Sequence, residues 1–350
     1  MTDNPILTEN SILSVKPSLL GKTQAELRAL AESLNKPAYT GTQLAKWLYQ
    51  KRATTFDQMT DLPVSLRHVL SETFDVGRSA PLQVQESRDG TKKYLFPVAG
   101  RTVEAAYIPE EDRKTLCVSS QVGCKMGCLF CMTGKQGFQG NLNAGQILNQ
   151  IVSLPEADLL TNVVYMGMGE PLDNLEEVLK SLEILTSDWG WGWSSQRITV
   201  SSVGLLPALK DFFARSKVRF ALSLHSPFDE ERASLMPVQN VHNLHEIINF
   251  LRTIQEEDAR RITIEYICFD GVNDTPRHAR ELVKILHGLK TRVNLIHFHP
   301  IPGTPLTGSL QTAMVKLQEA LSSKGIPATI RRSRGEDILA ACGLLSTLKR

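Results

Sequence analysis

Hydrophobic residues near the start of the chain recur every three or four positions, as they do on the buried face of a helix. Leu27, Leu30 and Leu34 follow this spacing. Thr23 precedes them and is suited to cap the N-terminus of a helix, because its hydroxyl accepts a hydrogen bond from a free backbone N–H group. We therefore predict a small helical domain over residues 18–78.

The spacing changes to strand-like alternation after this domain. Residues 81–108 are rich in β-prone side chains on both sides of Asp89 and Gly90. An Asp-Gly pair is typical of a tight hairpin turn, because both positions tolerate positive φ angles. This pattern predicts a β-hairpin linker over residues 79–108.

Short β-prone runs then alternate with helical stretches, of which 175–185 and 276–289 are clearly amphipathic. The runs are 115–120, 162–168, 197–203, 219–225, 261–269 and 292–298. Alternating strands and helices imply parallel strands joined by right-handed crossovers. We therefore predict an α/β fold in which residues 109–350 form a partial (βα)6 barrel. In such barrels the chemistry lies at the C-terminal ends of the strands.

Composition changes this picture little. Hydrophobic residues make up 42% and charged residues 22% of the 350 positions, and the net charge is only +2. Charge alone therefore does not indicate a nucleic-acid-binding protein. The chain does not open on a basic stretch followed by an apolar core, and no apolar run approaches the ~18 residues of a membrane span. We predict a cytoplasmic monomer, without membrane association, whose cysteines are reduced.

The strongest chemical signal is a run of three cysteines, Cys124, Cys128 and Cys131. They supply three soft thiolates from one loop. A [4Fe–4S] cluster held by three thiolates keeps one iron open to a small molecule. A zinc site is the alternative, but structural zinc prefers four ligands and no second pair of closely spaced cysteines follows.

Polar residues at the ends of the predicted strands form a second signal. Gly169 and Glu170 follow the second barrel strand, Ser201 ends the third, and the run Ser223, Leu224 and His225 ends the fourth. Each of these on its own is typical of an ordinary turn or a satisfied polar residue. Together they form the ring of groups expected around a bound cofactor.

Four further residues carry no signal in isolation. Cys117, Cys268 and Cys342 lie outside the cysteine triplet, and free cysteines are commonly buried in apolar surroundings. Glu104 lies in a β-prone stretch, where surface exposure is the ordinary expectation.

Several motifs, taken together, resemble the RlmN/Cfr family of radical S-adenosylmethionine (radical SAM) RNA methyltransferases, and most of all its RlmN type. The resemblance runs from about residue 20 to the C-terminus. It rests on the cysteine triplet and on the stretches 115–124, 167–171, 223–225, 270–274 and 334–343. The last stretch, Arg-Gly-Glu-Asp-Ile-Leu-Ala-Ala-Cys-Gly, is specific to this family among radical SAM enzymes.

The resemblance implies methylation of adenine C2 in 23S ribosomal RNA and in tRNA next to the anticodon. In this family Cys342 accepts a methyl group from one SAM molecule by displacement. A second SAM molecule, bound at the cluster, yields the 5′-deoxyadenosyl radical that activates this methyl group for addition to C2. Cys117 then releases the product and leaves a transient disulfide, and Glu104 matches the base that removes the C2 proton.

The resemblance also implies the binding residues. The cluster is held by Cys124, Cys128 and Cys131, and the reaction needs a one-electron reductant such as flavodoxin or ferredoxin. SAM is expected to contact the strand-end residues described above and His299, although the family usually has Asn at that position. RNA binding is expected from the helical domain and from basic residues near the C-terminus, which are Arg331, Arg332 and Arg334.

Two other functions remain open at this point. Cfr-type enzymes methylate adenine C8 of 23S ribosomal RNA, which confers antibiotic resistance, and use the same pair of cysteines. The match around residues 101–138 favours C2. An RNA-binding protein that holds zinc and has no enzymatic activity is the alternative from a different class.

Overall fold

The computed structural model describes residues 16–258 and 260–347 of the chain. Its N-terminal part contains three short helices, α1 (Gln24–Ser33), α2 (Tyr39–Ala45) and α3 (Val64–Thr73), and α2 continues into a π-helical turn, Lys46–Gln50. Thr23 caps α1 as predicted, and Glu26 completes a reciprocal capping box with it. Leu27, which lies on the inner face of this helix, is fully buried.

Twelve strands follow in the described residues. They are β1 (Gln83–Glu86), β2 (Lys92–Val98), β3 (Arg101–Pro109), β4 (Lys114–Cys117), β5 (Gln121–Val122), β6 (Gly140–Asn141), β7 (Asn162–Tyr165), β8 (Ile198–Ser202), β9 (Arg219–Ser223), β10 (Ile262–Cys268), β11 (Thr291–His297) and β12 (Ala328–Arg331). Ten of them form one sheet in the order β1-β2-β3-β4-β7-β8-β9-β10-β11-β12, and β5 pairs only with β6.

Helices connect the later strands. They are α4 (Met132–Gln136), α5 (Ala144–Val152), α6 (Leu175–Thr186), α7 (Leu206–Arg215), α8 (Asp229–Leu235), α9 (Leu244–Glu257), α10 (Pro276–Leu286) and α11 (Gln311–Ser322). The predicted helices 175–185 and 276–289 correspond to α6 and α10. Both begin as predicted, and α10 ends three residues earlier than predicted.

The sheet has an antiparallel part and a parallel part. β1 to β4 pair antiparallel, and the turn between β1 and β2 contains Asp89 and Gly90 as predicted. From β4 to β12 every neighbouring pair is parallel. The predicted α/β fold is therefore confirmed. β1 to β3 belong to the same sheet as the parallel strands, so the sheet itself marks no domain boundary near residue 108. The boundaries predicted at residues 78 and 108 stay predictions.

The parallel part contains one strand more than the six that were predicted. The additional strand, β12, pairs with β11 along four residues. Its sequence, Ala-Thr-Ile-Arg, has only two apolar side chains, so it lacks the hydrophobic run by which the other strands were recognised. The outer face of the sheet packs against the helices, and Cys268 lies fully buried in this core as expected. None of the described helices is long and apolar enough to cross a membrane.

Candidate active site

A cavity of about 550 Å³ lies on the inner face of the curved sheet, and part of its wall is the C-terminal segment, residues 332–347. This volume is within the ~300–1,000 Å³ range of small-molecule sites. Cys117 from β4, Cys131 from the cysteine loop and Cys342 from the C-terminal segment all line the cavity. The fold therefore brings together thiols from distant parts of the sequence.

The cysteine loop, residues 123–131, connects β5 to α4. Gly123 opens it with a φ of +72°, and a Cβ atom there would lie 1.7 Å from the Gly137 carbonyl oxygen, so no other residue fits. Leu129 N donates to Leu235 O at 2.9 Å, and the Phe130 ring meets the His225 ring edge-on at 4.8 Å between centroids. The loop is thus fixed against the strand-end loops.

Two thiols of this loop are buried. Burial raises the pKa of Cys124 to about 12 and the pKa of Cys128 well above its ordinary value, and the nearby Cys131 thiol adds to both effects. Thiols in this state give up their protons when a metal binds them. Among the described residues, no three His, Cys, Asp or Glu side chains converge on a single ion. A [4Fe–4S] cluster instead places each thiolate on a different iron, and three soft thiolates on one loop fit this group.

Gly169 and Glu170 lie next to this loop, at the end of β7. Gly169 has a φ of +98°, and a Cβ atom there would lie 2.5 Å from Gln121 Cβ. The Glu170 carboxylate accepts hydrogen bonds from Leu172 N at 3.0 Å and Val203 N at 3.1 Å. Burial raises the pKa of Glu170 to about 7. The two hydrogen bonds to this carboxylate connect the loop that follows β7 to the loop that follows β8.

The other strand-end residues lie close to each other. The hydroxyl groups of Ser201 and Ser223, on neighbouring strands, are 3.4 Å apart, and Leu224 is fully buried. His225 has a left-handed φ of +58°, and its Nδ1 accepts a hydrogen bond from Ile267 N at 3.0 Å. Burial and, to a smaller extent, the nearby positive charge of Arg232 lower the pKa of His225 to about 3, so the ring is neutral with its proton on Nε2.

Arg232, on α8, was missed by the sequence analysis. It is fully buried and donates hydrogen bonds to the carbonyl oxygens of Val203, Ser223 and Leu224 and to Gln239 Oε1. Burial lowers the pKa of Arg232 to about 10. Its sequence neighbours are those of an ordinary amphipathic helix, so no signal in the sequence distinguished it from a solvated arginine.

His299 lines the cavity, but both of its ring nitrogens have protein partners. Nε2 lies 2.8 Å from Ser333 Oγ, and Nδ1 lies 3.1 Å from a carboxylate oxygen of Glu336. Burial lowers the pKa of His299. His299 therefore holds the C-terminal segment, and a contact with SAM would require one of these partners to be released.

Cys117 and Cys342 differ in their surroundings. Cys117 is buried beside Ala106 and Ala340, and burial raises its pKa to about 12. Cys342 is exposed at the cavity wall. The protein that encloses the cavity shields this thiol from bulk water and raises the pKa of Cys342, and the positive charge of Arg331 opposes this rise. Both are free thiols, so the structure does not support a disulfide between them.

Glu104 is not exposed, and it does not line the cavity of the thiols. Its buried carboxylate borders a smaller cavity of about 210 Å³, together with Leu339 and Leu344 of the C-terminal segment. Lys93 Nζ lies 2.9 Å from one carboxylate oxygen, and Ser346 N donates to the other at 2.8 Å. The C-terminal segment thus covers this carboxylate.

Two sequence profiles match the chain. The profile of the radical SAM superfamily matches residues 118–283, and that of the ribosomal RNA large subunit methyltransferase N-terminal domain matches residues 18–76.

Similar proteins are known from sequence and from structure. The chain is 54% identical over 335 residues to a probable dual-specificity RNA methyltransferase RlmN of Bacteroides fragilis, covering 95% of this chain and 97% of the relative. It is 40% identical to a dual-specificity RNA methyltransferase RlmN of Psychrobacter arcticus, covering 97% and 91%. The crystal structure of a radical SAM methyltransferase from Sphaerobacter thermophilus superposes with a TM-score of 0.89 at 38% identity and covers 94% of this chain and 99% of that one.

Proposed function

The chain belongs to the RlmN family of radical SAM RNA methyltransferases, and from this premise we propose that it methylates C2 of adenine in 23S ribosomal RNA and in tRNA next to the anticodon. The observation that carries this proposal is the cavity shared by Cys117, Cys131 and Cys342. Membership of this enzyme family argues against the alternative of a zinc-holding RNA-binding protein.

The cofactors of this family have suitable positions in the chain. Cys124, Cys128 and Cys131 would hold the [4Fe–4S] cluster, while the strand-end residues Gly169, Glu170, Ser201 and 223–225 would orient SAM. When bound, the cluster and two SAM molecules per turnover supply the methyl group and the radical that activates it. The buried neutral ring of His225, packed against Phe130, keeps the cysteine loop and the strand-end loops in a fixed arrangement.

Cys342 and Cys117 have different roles in the proposed reaction because their thiols differ in exposure. Cys342 faces the cavity and carries the methyl group. Desolvation raises the pKa of its thiol, and the nearby positive charge of Arg331 partly offsets this rise and so assists formation of the thiolate that displacement requires. Cys117 is buried and stays protonated until the adduct forms. The Cys117 thiol then gives up its proton, its sulfur attacks Cys342, and the bond from Cys342 to the methyl-derived carbon breaks. That carbon takes up a proton to complete the methyl group, and the resulting disulfide must be reopened by a thiol reductant.

Glu104 would accept the C2 proton. The Lys93 ammonium group lies 2.9 Å from one oxygen of this carboxylate and fixes its position. Because Ser346 N donates to this carboxylate, residues near Ser346 must shift before the base can face the substrate.

RNA contacts would come from two regions. The helical domain over residues 18–78 includes the part that matches the N-terminal domain of ribosomal RNA methyltransferases. Arg331 and Arg332 are exposed at the cavity, where they can neutralise backbone phosphates. Arg334 is less available, since its guanidinium lies 3.9 Å from Asp89. The target adenine must leave its stack to enter the cavity.

The test is a reaction of the anaerobically reconstituted protein with SAM, reduced flavodoxin or ferredoxin, and each RNA. Nuclease digestion followed by chromatography and mass spectrometry separates 2-methyladenosine from 8-methyladenosine. We expect only the 2-isomer, from both RNAs. The 8-isomer would assign the chain to the Cfr-type reaction instead.

A further inference from the structure

Glu265 is a buried carboxylate that the reaction described above does not use. It lies in the middle of β10, in the sequence Ile-Thr-Ile-Glu-Tyr-Ile-Cys, where a charged residue interrupts an apolar strand. Its sequence neighbours Ile264 and Tyr266 pack into the core behind the sheet, whereas Thr263, Glu265 and Ile267 line the cavity. The strand therefore presents this carboxylate to the inside of the barrel.

Only one of the two oxygens of the Glu265 carboxylate has a hydrogen-bond partner. Asn294, its neighbour on β11, donates from Nδ2 to Oε1 at 2.7 Å, and Thr263 Oγ1 lies 3.4 Å from the same oxygen. Within residues 16–258 and 260–347, no protein group donates a hydrogen bond to Oε2. Burial raises the pKa of Glu265, and the positive charge of Arg331 opposes this effect. A buried carboxyl group destabilises the fold unless its hydrogen-bonding capacity is used.

Glu265 and Asn294 together present a hydrogen-bond acceptor next to a donor. Glu265 Oε2 can accept a hydrogen bond, and the second N–H of the Asn294 amide can donate one. The amino edge of a 6-aminopurine has the complementary groups, an exocyclic N–H donor next to a ring nitrogen that accepts. A 6-oxopurine would place its oxygen against the carboxylate, which is repulsive. Val164, Met166 and Ile296 supply apolar wall for the faces of a flat ring.

We propose that Glu265 and Asn294 form a subsite that binds the amino edge of a 6-aminopurine, and that the target adenine of RNA occupies it rather than the adenine of SAM. The subsite lies in the cavity that contains Cys117 and Cys342, the thiols assigned to act on the target base. Gly169 and Glu170, which are assigned to SAM, do not line this cavity. His299 does line it, but both of its ring nitrogens have partners in the C-terminal segment. The choice of occupant rests on the proposed function.

The test compares RNA hairpins that carry adenine, purine or hypoxanthine at the target position. Binding to the cluster-loaded protein is measured without SAM by fluorescence anisotropy. We expect the unmodified protein to bind the adenine hairpin about tenfold or more tightly than the purine hairpin, which lacks the amino group. In Glu265→Gln this ratio falls to about one, and binding of the hypoxanthine hairpin improves because the new amide can donate to its oxygen.

Two controls accompany this comparison. Glu319→Gln removes the charge of an exposed glutamate on α11 and should retain the full preference for adenine. Asn294→Ala removes the donor and should weaken the adenine hairpin without improving the hypoxanthine hairpin. Circular dichroism of each variant confirms that it is folded.

Three results would overturn the proposal. The first is a preference for adenine over purine that survives in Glu265→Gln. The second is an equal loss of binding for all three hairpins, since a structural role would act in this way. The third is a weaker equilibrium-dialysis affinity for SAM with an unchanged hairpin preference, which would assign the pair to the adenine of SAM. A protein that shows the binding preference but methylates none of the RNAs would refute the proposed function and support the subsite.

Discussion

Among the individual residues, exposure distinguishes the two thiols that the proposed reaction needs. Both thiols line the cavity, but Cys342 is exposed there, whereas Cys117 is buried between β3 and the C-terminal segment. An exposed thiol can reach a methyl donor, and a buried thiol is protected from unwanted alkylation until it is needed. Replacing each one should therefore stop the reaction at a different point.

Cys342→Ala should abolish methylation of RNA while SAM cleavage continues slowly, because the methyl carrier is lost and the cluster ligands remain. Mass spectrometry of 5′-deoxyadenosine and methyladenosine measures both outcomes. Cys268→Ala is the matched control, since this thiol lies in the core away from the cavity and should be dispensable. Methyl transfer by Cys342→Ala would remove the carrier role.

Cys117→Ala should instead accumulate a covalent complex between the protein and RNA through Cys342, since no thiol is then available to break the bond from sulfur to carbon. Denaturing gels detect the complex, and mass spectrometry after nuclease digestion locates the attached nucleotide. Normal turnover in this variant would contradict the assignment of Cys117.

His225 should make stability depend on pH. Its folded pKa is about 3 and its ordinary value is 6.5, so the unfolded chain binds more protons between these values. The contribution to stability is therefore complete above pH 6.5 and is lost as pH falls towards 3. Between pH 7 and pH 5 the free energy of unfolding should fall by about 2 kcal/mol more than it does in His225→Asn.

This variant is a suitable comparison for two reasons. Asparagine tolerates the left-handed φ of +58°, and its Oδ1 can accept the hydrogen bond from Ile267 N in place of Nδ1. Urea unfolding of the protein without its cluster, across this pH range, provides the measurement. Parallel pH profiles for the two proteins would show that His225 is not the group responsible.

Among the elements, the C-terminal segment depends on contacts from several parts of the fold. Thr133 Oγ1 donates to Leu345 O at 2.7 Å, and Met132 N donates to Gly343 O at 2.8 Å, so α4 holds one end. His299 holds the other end through Ser333 and Glu336. These contacts fix the position of Cys342 between them.

His299→Asn should loosen the first part of this segment, because the shorter side chain cannot reach both Ser333 and Glu336. Loss of a hydrogen bond to a buried group costs about 1–2 kcal/mol. Amide hydrogen exchange of residues 333–337 should accelerate by about 5- to 30-fold. His245→Asn, an exposed position on α9, is the control. Unchanged exchange in His299→Asn would show that the histidine does not hold the segment.

The elements also show what the sequence could predict. The apolar spacing of α6 and α10 and the alternation of strands and helices were visible because each element buries one continuous face. β12 was not predicted because it is short and has few apolar residues. Glu265 could be noticed in the sequence as a charged residue inside an apolar strand. The burial of Arg232 and of Glu104 could not be predicted, because it depends on contacts between residues that are distant in the sequence.

In the whole molecule, the antiparallel strands β1 to β3 connect the helical domain to the site. Asp89 accepts a hydrogen bond from Gly335 N at 3.0 Å, and Ser87 Oγ donates to Asp337 at 2.5 Å, so the hairpin turn contacts the C-terminal segment. Glu104 contacts the same segment at Ser346. The hairpin and the segment that carries Cys342 are therefore parts of one wall of the site.

The central claim is that Cys342 carries the methyl group to RNA, and following a labelled methyl group tests it most directly. The cluster-loaded protein is incubated with methyl-labelled SAM and no RNA, and peptide mass spectrometry locates the label. RNA, unlabelled SAM and reduced flavodoxin or ferredoxin are then added to the washed protein. We predict one labelled methyl group on Cys342 that moves to adenine during a single turnover. Label that is absent from Cys342, or that stays on the protein while RNA acquires unlabelled methyl groups, would contradict the account.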